Sequence, residues 1–173
     1  MVNPFNPQSA IRNPQLKTRT LSELEPLVAK FHAEGLRVVM ANGCFDLLHV
    51  GHTRYLQEAK ALGDILLVAI NSDRSVARIK GSGRPLQSED ERSEIVGALE
   101  CVDYVTIFDA PTVDATLLQL KPDIHAKGTD YTRETVPERD TVRSYGGQVA
   151  IVGDPKNHST RELIDRIVAK RDP

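Results

Sequence analysis

The chain has 173 residues, enough for one domain with a substantial apolar core, and its formal net charge is −2. This charge and a pI near 6.2 exclude the broad basic surface of a nucleic-acid-binding protein. The two cysteines form no Cys-x-x-Cys pair, and no apolar run approaches the roughly 18 residues of a membrane span. The first residues lack the features of a signal peptide. We therefore expect a cytoplasmic protein without membrane or nucleic-acid partners.

The first predicted element is a helix from residue 20 to about residue 33. Thr20 and Glu23 form a capping box at its start, and Gly35 ends it. Five short, nearly continuous apolar runs follow as predicted strands, at residues 38–41, 65–70, 104–108, 124–126 and 149–152. Runs of this kind are typical of parallel strands that are buried on both faces.

Helical patterns fill the gaps between these strands. A helix-like segment spans residues 53–60, and capping boxes at Ser88 and Ser159 precede helices at residues 92–100 and near the end of the chain. The residues expected to face the core are Ile95, Val96 and Leu99 in the first of these two helices and Leu163, Ile164 and Ile167 in the second.

The alternation of strands and helices predicts an α/β fold. It is a Rossmann-like, doubly wound parallel sheet of about five strands with helices on both faces. A ligand site is expected at the carboxyl ends of the strands, near a switch point in the strand order. Residues 81–85 and 128–139 are predicted loops, and the second is placed to close over a substrate.

The most informative segment is residues 42–52, Asn-Gly-Cys-Phe-Asp-Leu-Leu-His-Val-Gly-His. It lies between the first strand and a helix, and the amino-terminal end of a helix favours an anion. His49 and His52 are three residues apart, so they project from one face of a helical turn. Gly51 between them leaves room for a nucleotide to approach the backbone. This spacing favours a polyphosphate clamp.

Other ligand sites fit the sequence less well. The chain has neither the Gly-x-Gly-x-x-Gly turn of a dinucleotide site nor the Gly-Lys-Ser/Thr of a phosphate-binding loop. A zinc site on His49 and His52 lacks a third ligand at a telling spacing, so no protein-bound metal is predicted. The histidines, Asp46 and Ser159 each have an ordinary structural alternative as helix caps or turn formers.

Two separated motifs carry a family resemblance. Residues 42–46 with His49-Val50-Gly51-His52, followed late in the chain by His158-Ser159-Thr160-Arg161, resemble the His-x-Gly-His nucleotidyltransferases of the cytidylyltransferase-like superfamily. The resemblance runs from about residue 37 to residue 167. It implies an N-terminal extension and packed helix at residues 1–35 and a nucleotidyltransferase domain at residues 36–170.

Within that superfamily, one branch is most similar to this chain. Segments such as Asn71-Ser72-Asp73, Lys121-Pro122-Asp123 and Lys127-Gly128-Thr129-Asp130-Tyr131 look most like the D-glycero-β-D-manno-heptose 1-phosphate adenylyltransferases. The glycerol-3-phosphate cytidylyltransferases are similar at many of the same places.

The resemblance implies a reaction and its partners. A nucleotidyl group, adenylyl in the first place, passes from ATP or CTP to a sugar or polyol phosphate such as heptose 1-phosphate, and pyrophosphate is released. Mg²⁺ bound through the triphosphate is the expected cofactor, and a homodimer is the expected assembly. Two alternatives stay open: a glycerol-3-phosphate-type cytidylyltransferase, and a nucleotide-binding regulatory protein without catalysis.

The resemblance also assigns roles to residues. The catalytic residues are His49, His52 and Lys127. The nucleotide-binding residues are Asn42, Gly43, Cys44, Phe45, Asp46, His49, Gly51, His52, Arg92, Ser159, Thr160 and Arg161. The acceptor-binding residues are Asp46, Lys80, Lys127, Gly128 and Asp130. The histidines are expected to act best as imidazolium donors, the Ser159 and Thr160 hydroxyls to face the β- and γ-phosphates, and Asp46 to position a histidine or lie near the metal.

Overall fold

The structure, a computed structural model, describes residues 14–155 and 158–170. A short 3-10 helix, Pro14–Lys17, precedes the first α-helix. The helices are α1 Leu21–Ala33, α2 Val50–Lys60, α3 Asp73–Lys80, α4 Glu89–Gly97, α5 Asp114–Leu120, α6 Arg139–Ser144 and α7 Thr160–Ala169. The strands are β1 Val38–Gly43, β2 Ile65–Asn71, β3 Tyr104–Phe108, β4 Ile124–Gly128 and β5 Gln148–Val152.

The five strands form one parallel sheet in the order β3-β2-β1-β4-β5, which confirms the predicted fold class. The chain runs outward from β1 to β3 and then returns to the other side of β1 as β4. The carboxyl ends of β1 and β4 therefore flank the switch point, where doubly wound folds bind their ligands. Met40 pairs with His125 and Ala41 with Ala126 across this junction.

Successive β1 residues face opposite sides of the sheet, so each side has its own core. Val38 and Met40 pack with α1, α5 and α6 on one side. Val39 and Ala41 pack with α2 and α4 on the other side. Helices on both faces thus bury a strand that is apolar along most of its length, as the sequence predicts.

The N-terminal segment is anchored to the sheet at its β3 edge. The Lys17 ammonium donates to the carbonyls of Leu99 and Val102, and the Arg19 amide donates to the carbonyl of Val105 at 2.9 Å. Residues 1–13 lie outside the described residues, so the division at residue 35 stays a prediction. In the described part of the chain, no helix has the length and hydrophobicity needed to cross a membrane.

Two predicted core positions are wrong. Ile95 is 37% exposed, because α4 directs Arg92 and Val96, one turn apart, toward the domain and turns Ile95 outward. Ile167 is 58% exposed, and no residue of α7 is fully buried. Leu163 and Ile164 are half-buried, so α7 contacts the domain through its first turns and its remaining residues lie in solvent.

The element boundaries also differ from the prediction at the site. β1 and β4 each continue two residues beyond the predicted end, through residues 42–43 and 127–128. α2 begins at Val50, three residues before the predicted start, so His52 lies in its first turn. Polar residues at strand ends therefore belong to the regular structure and hold fixed positions.

Candidate active site

The turn from β1 to α2 is held by Phe45. This residue has a positive φ of 49°, and its buried ring lies 5.2 Å, centroid to centroid, from the His52 ring. A Cβ at position 43 would lie 3.1 Å from the Phe45 ring. Glycine at position 43 therefore allows the ring to fold back under the turn and support His52.

The two histidines of the motif lie at the start of α2. His49 is the N-cap residue and His52 lies in the first turn, and their rings stack with centroids 3.8 Å apart and planes inclined by 24°. The His49 backbone amide donates to His52 Nδ1 at 3.4 Å. Because Nδ1 is the acceptor, the neutral His52 ring carries its proton on Nε2, which is the atom left to donate to a ligand.

Gly51 makes room for a histidine. A Cβ at position 51 would lie 3.0 Å from Nδ1 of His49 and 3.6 Å from Cβ of His158. In this structure the space beside Gly51 is taken by His49, and the approach of a nucleotide to the same glycine stays a prediction. His158 thus borders the site, although it was not among the predicted site residues.

Both motif histidines are neutral in the ligand-free protein. Burial, with a smaller contribution from the neighbouring His49, lowers the pKa of His52 to about 4. Burial also lowers the pKa of His49, with a further contribution from His158. The imidazolium form expected of these histidines in catalysis therefore depends on nearby phosphate oxygens, which raise the pKa of an imidazole.

Asp46 holds a loop and does not orient a histidine in this structure. Its buried carboxylate accepts from the Arg84 guanidinium and from the backbone amides of Leu86 and Gln87, the latter two at 2.7 and 3.1 Å. These bonds join the turn after β1 to the loop after α3. The predicted contact of Asp46 with a histidine is thus replaced by a structural one, and its role near a metal stays a prediction.

Arg92 has a similar structural role, because it joins segments of the chain around the turn after β1. It is fully buried, and its guanidinium donates to the carbonyls of Cys44 and Gln87 at 2.6 and 3.1 Å and to the Asp73 carboxylate at 2.7 Å. These bonds use three of the five guanidinium N–H groups and the side chain has no exposed surface, so the contact with a nucleotide stays a prediction. Arg92 fixes the carbonyl of Cys44, directly before Phe45.

The Cys44 thiol lies in the turn after β1, which Asp46 and Arg92 hold in place. Burial raises its pKa, although the positive charges of Lys80 and Arg92 act in the opposite direction. Lys80, the last residue of α3, is exposed and close enough for its charge to act on this thiol. The structure therefore places Lys80, a predicted acceptor-binding residue, near the turn after β1.

A polar group lies at the carboxyl end of β4, across the switch point. The side chains of His125 and Lys127 point to the same side of the sheet as Asn42, whose Oδ1 accepts from His125 Nε2 at 3.0 Å and from Lys127 Nζ at 3.2 Å. Burial and the Lys127 charge lower the pKa of His125 to about 3, so its ring is neutral. Lys127 also pairs with Glu138, at the start of α6.

His125 and Glu138 were missed from the sequence. His125 lies inside an apolar run, and Glu138 follows a polar loop. The period-two spacing of His125 and Lys127 was the available signal for the first, because alternate residues of a strand share a face. Nothing in the local sequence distinguished Glu138 from its acidic neighbours.

The start of α7 contacts the turn after β1. The Thr160 hydroxyl donates to the Leu47 carbonyl at 3.3 Å. Ser159 caps the helix, since its Oγ accepts from the Glu162 amide and its own amide donates to the Glu162 carboxylate, both at 3.1 Å. Arg161 is exposed. Contacts of these three residues with a triphosphate stay predictions.

The remaining predicted residues lie after β4. Gly128 is the last residue of β4, and Asp130 is exposed in the loop that follows. Within residues 14–155 and 158–170, no group of three or more His, Cys, Asp or Glu side chains has the arrangement of a metal site.

Comparison with known proteins decides the family. The sequence pattern described as cytidylyltransferase-like matches residues 40–167, which include the β1–α2 turn, the end of β4 and the start of α7. The chain belongs to the cytidylyltransferase-like family. The family resemblance drawn from the two motifs is thereby confirmed.

Similar proteins in this family come from several bacteria. The chain is 48% identical over 152 residues to bifunctional protein HldE of Syntrophotalea carbinolica and to that of Geobacter metallireducens, in each case over 88% of this chain. It is 48% identical over 138 residues to bifunctional protein HldE of Gluconobacter oxydans. The matched region spans 31%, 31% and 29% of these three relatives, less than a third of their length.

A solved structure supports the same assignment. The lipopolysaccharide core biosynthesis protein of Thermoplasma volcanium GSS1 is 35% identical, with a TM-score of 0.58. The match covers 68% of this chain and 95% of that one.

Proposed function

We propose that the protein is an adenylyltransferase that transfers the adenylyl group of ATP to a sugar phosphate such as heptose 1-phosphate, in the cytoplasm. The observation that carries the proposal is the placement of the stacked His49–His52 pair and Lys127 at the carboxyl ends of β1 and β4. Family membership and the similarity to HldE proteins support it, as does a relative from lipopolysaccharide core biosynthesis.

The reaction joins two anions. An oxygen of the acceptor phosphate attacks the α-phosphorus, a new P–O bond forms, and the bond from that phosphorus to the bridging oxygen breaks as pyrophosphate leaves with the electron pair. Catalysis then consists chiefly of positioning and charge stabilisation, and no covalent intermediate with the protein is needed.

In this proposal the motif histidines bind the triphosphate. His52 donates through Nε2, and the stacked His49 ring lies beside it at the positive end of α2. Phosphate oxygens favour the imidazolium form, so binding of the triphosphate raises the lowered pKa values of the two histidines. Each ring then gains charge as it meets the oxygens on which negative charge develops.

Lys127 binds a phosphate on the other side of the switch point. The Asn42 side chain, which contacts both His125 and Lys127, keeps this cation near the end of β1. Thr160, bonded to the turn through Leu47, brings the start of α7 beside the histidines. A second helix amino terminus thereby reaches the triphosphate.

Mg²⁺ enters this proposal with the nucleotide. The Asp46 carboxylate, the nearest candidate ligand in the motif, is already bonded to Arg84 and two amides, so it fits a structural role better than metal ligation. The ion is held by triphosphate oxygens and neutralises part of their charge.

A homodimer is also proposed. The apolar side chains of Ile79, Leu86 and Ile95 are 51%, 55% and 37% exposed and belong to α3, the loop after it and α4. Sedimentation at micromolar concentration should give twice the 19.1 kDa chain mass, whereas a single-chain mass would contradict it.

The test is release of pyrophosphate from ATP or CTP with Mg²⁺ and a panel of acceptors that includes heptose 1-phosphate and glycerol 3-phosphate. Turnover is expected with ATP and heptose 1-phosphate. Turnover confined to CTP and glycerol 3-phosphate would place the chain with the cytidylyltransferases. Triphosphate binding without turnover of any acceptor would contradict the proposal and favour a regulatory protein.

A further inference from the structure

A buried ion pair at the end of β4 contains an oxygen that can accept a further hydrogen bond. Lys127 Nζ lies 3.5 Å from Oε1 and 3.4 Å from Oε2 of Glu138, and the two side chains are only 8% and 7% exposed. Glu138 Oε2 is buried, and within the described part of the chain its ion-pair contact with Lys127 is too poorly directed to count as a hydrogen bond. A buried carboxylate oxygen in this position can still accept a hydrogen bond, which a ligand could supply.

The ammonium of the pair is loosely held as well. Its nearest partner is Asn42 Oδ1 at 3.2 Å, and the centroid of the Tyr131 ring lies 4.9 Å away. Strong charged hydrogen bonds are shorter, about 2.7 to 2.9 Å. A phosphate oxygen would therefore be a better partner for Lys127 than those it has in the ligand-free protein.

A phosphate bound to Lys127 changes the surroundings of Glu138. The carboxylate would then share its cation with a second anion, and the two anions repel each other in a site with little water. A hydroxyl on the carbon next to the phosphate-bearing carbon offsets part of this repulsion, because it donates to Oε2 while the phosphate accepts from Nζ. The adjacent ammonium and carboxylate are thus complementary to a phosphate with a neighbouring hydroxyl.

The carboxylate is presented by an ordered element. Glu138 precedes the first turn of α6, its carbonyl accepts from the Val142 amide at 2.9 Å, and Val142 is fully buried. The Thr141 hydroxyl also donates to Asp114 at the start of α5. A carboxylate held in this way can select between ligands that differ by one hydroxyl.

We infer that Glu138 is a specificity-determining residue, which accepts a hydrogen bond from an acceptor hydroxyl adjacent to the phosphate-bearing carbon. The inference rests on the proposed function. It narrows the acceptor from phosphate esters in general to those with a neighbouring hydroxyl.

The test compares two acceptors that differ only in this hydroxyl, heptose 1-phosphate and its 2-deoxy analogue. If glycerol 3-phosphate is the acceptor that turns over, 3-hydroxypropyl phosphate is its counterpart. The native protein should favour the hydroxyl-bearing acceptor in kcat/KM by roughly tenfold to a hundredfold. In Glu138→Ala the preference should fall below about threefold, while the KM for ATP stays unchanged.

Two further variants keep the test decisive. Glu138→Gln, which keeps the shape, should retain a preference below about tenfold, since a neutral acceptor forms a weaker bond than a carboxylate. Glu134→Gln, an exposed change in the same loop, should keep the full preference. A preference unchanged in both Glu138 variants, or absent from the native protein, overturns the inference alone. Inactivity of the native protein with every acceptor overturns the proposed function too.

Discussion

Acidification should destabilise the ligand-free protein through two buried histidines. In the folded chain the pKa values of His52 and His125 are about 4 and about 3, below their ordinary 6.5. The unfolded chain therefore binds protons that the folded chain excludes. The stability contributed by these neutral rings is complete above pH 6.5 and is lost as pH falls toward the folded values.

The size of the effect follows from these values. Between pH 7 and pH 5 each histidine should cost about 2 kcal/mol of the free energy of unfolding, or about 4 kcal/mol together. The carboxyls whose pKa is lowered contribute little in this window, because they lose stability below their ordinary values of 4.5 or 3.8. They are Glu23, Glu91, Asp114 and Glu134.

Urea unfolding at pH 7 and pH 5 measures this loss. His52→Gln and His125→Gln should each remove about 2 kcal/mol of this pH-dependent loss. Equal pH dependence in the native protein and in both variants of buried histidines would refute the reasoning. It would mean that these rings are not held neutral by burial.

Two further substitutions test how the site is held together. In Gly51→Ala the added Cβ displaces the His49 ring, so turnover should fall at least about tenfold while urea unfolding changes by less than about 1 kcal/mol, since Ala favours the helix. In Arg92→Met the carbonyls of Cys44 and Gln87 lose their donor, and urea unfolding should show a loss of about 3 kcal/mol. Normal turnover in the first variant, or a loss below about 1 kcal/mol in the second, would contradict these roles.

The sheet was predictable because its signal is local. Each strand is a short, nearly continuous apolar run, because a strand that is buried on both faces needs apolar residues at nearly every position. The strand ends were not predicted, because Asn42 and Lys127 are polar residues that continue a ladder into the site. A prediction from apolar runs fails at such positions, because a polar residue of the site interrupts the run although the strand continues.

The candidate site was predictable in part for a different reason. His49 and His52 came from spacing and family resemblance, and their neighbours along the chain followed. Arg92 was placed near the nucleotide, but two of its three partners, the Cys44 carbonyl and the Asp73 carboxylate, are distant in sequence, so no local pattern displays them. Its complete burial is also unusual for arginine.

In the proposed function, the stacked histidines at the start of α2 stabilise the transition state of nucleotidyl transfer. The most direct measurement is the turnover of His52→Ala with the best nucleotide and acceptor, beside the native protein and a His32→Ala control. We expect the turnover of His52→Ala to fall on the order of a hundredfold or more, with folding retained and the control unchanged. Near-native turnover in a folded His52→Ala protein would contradict it.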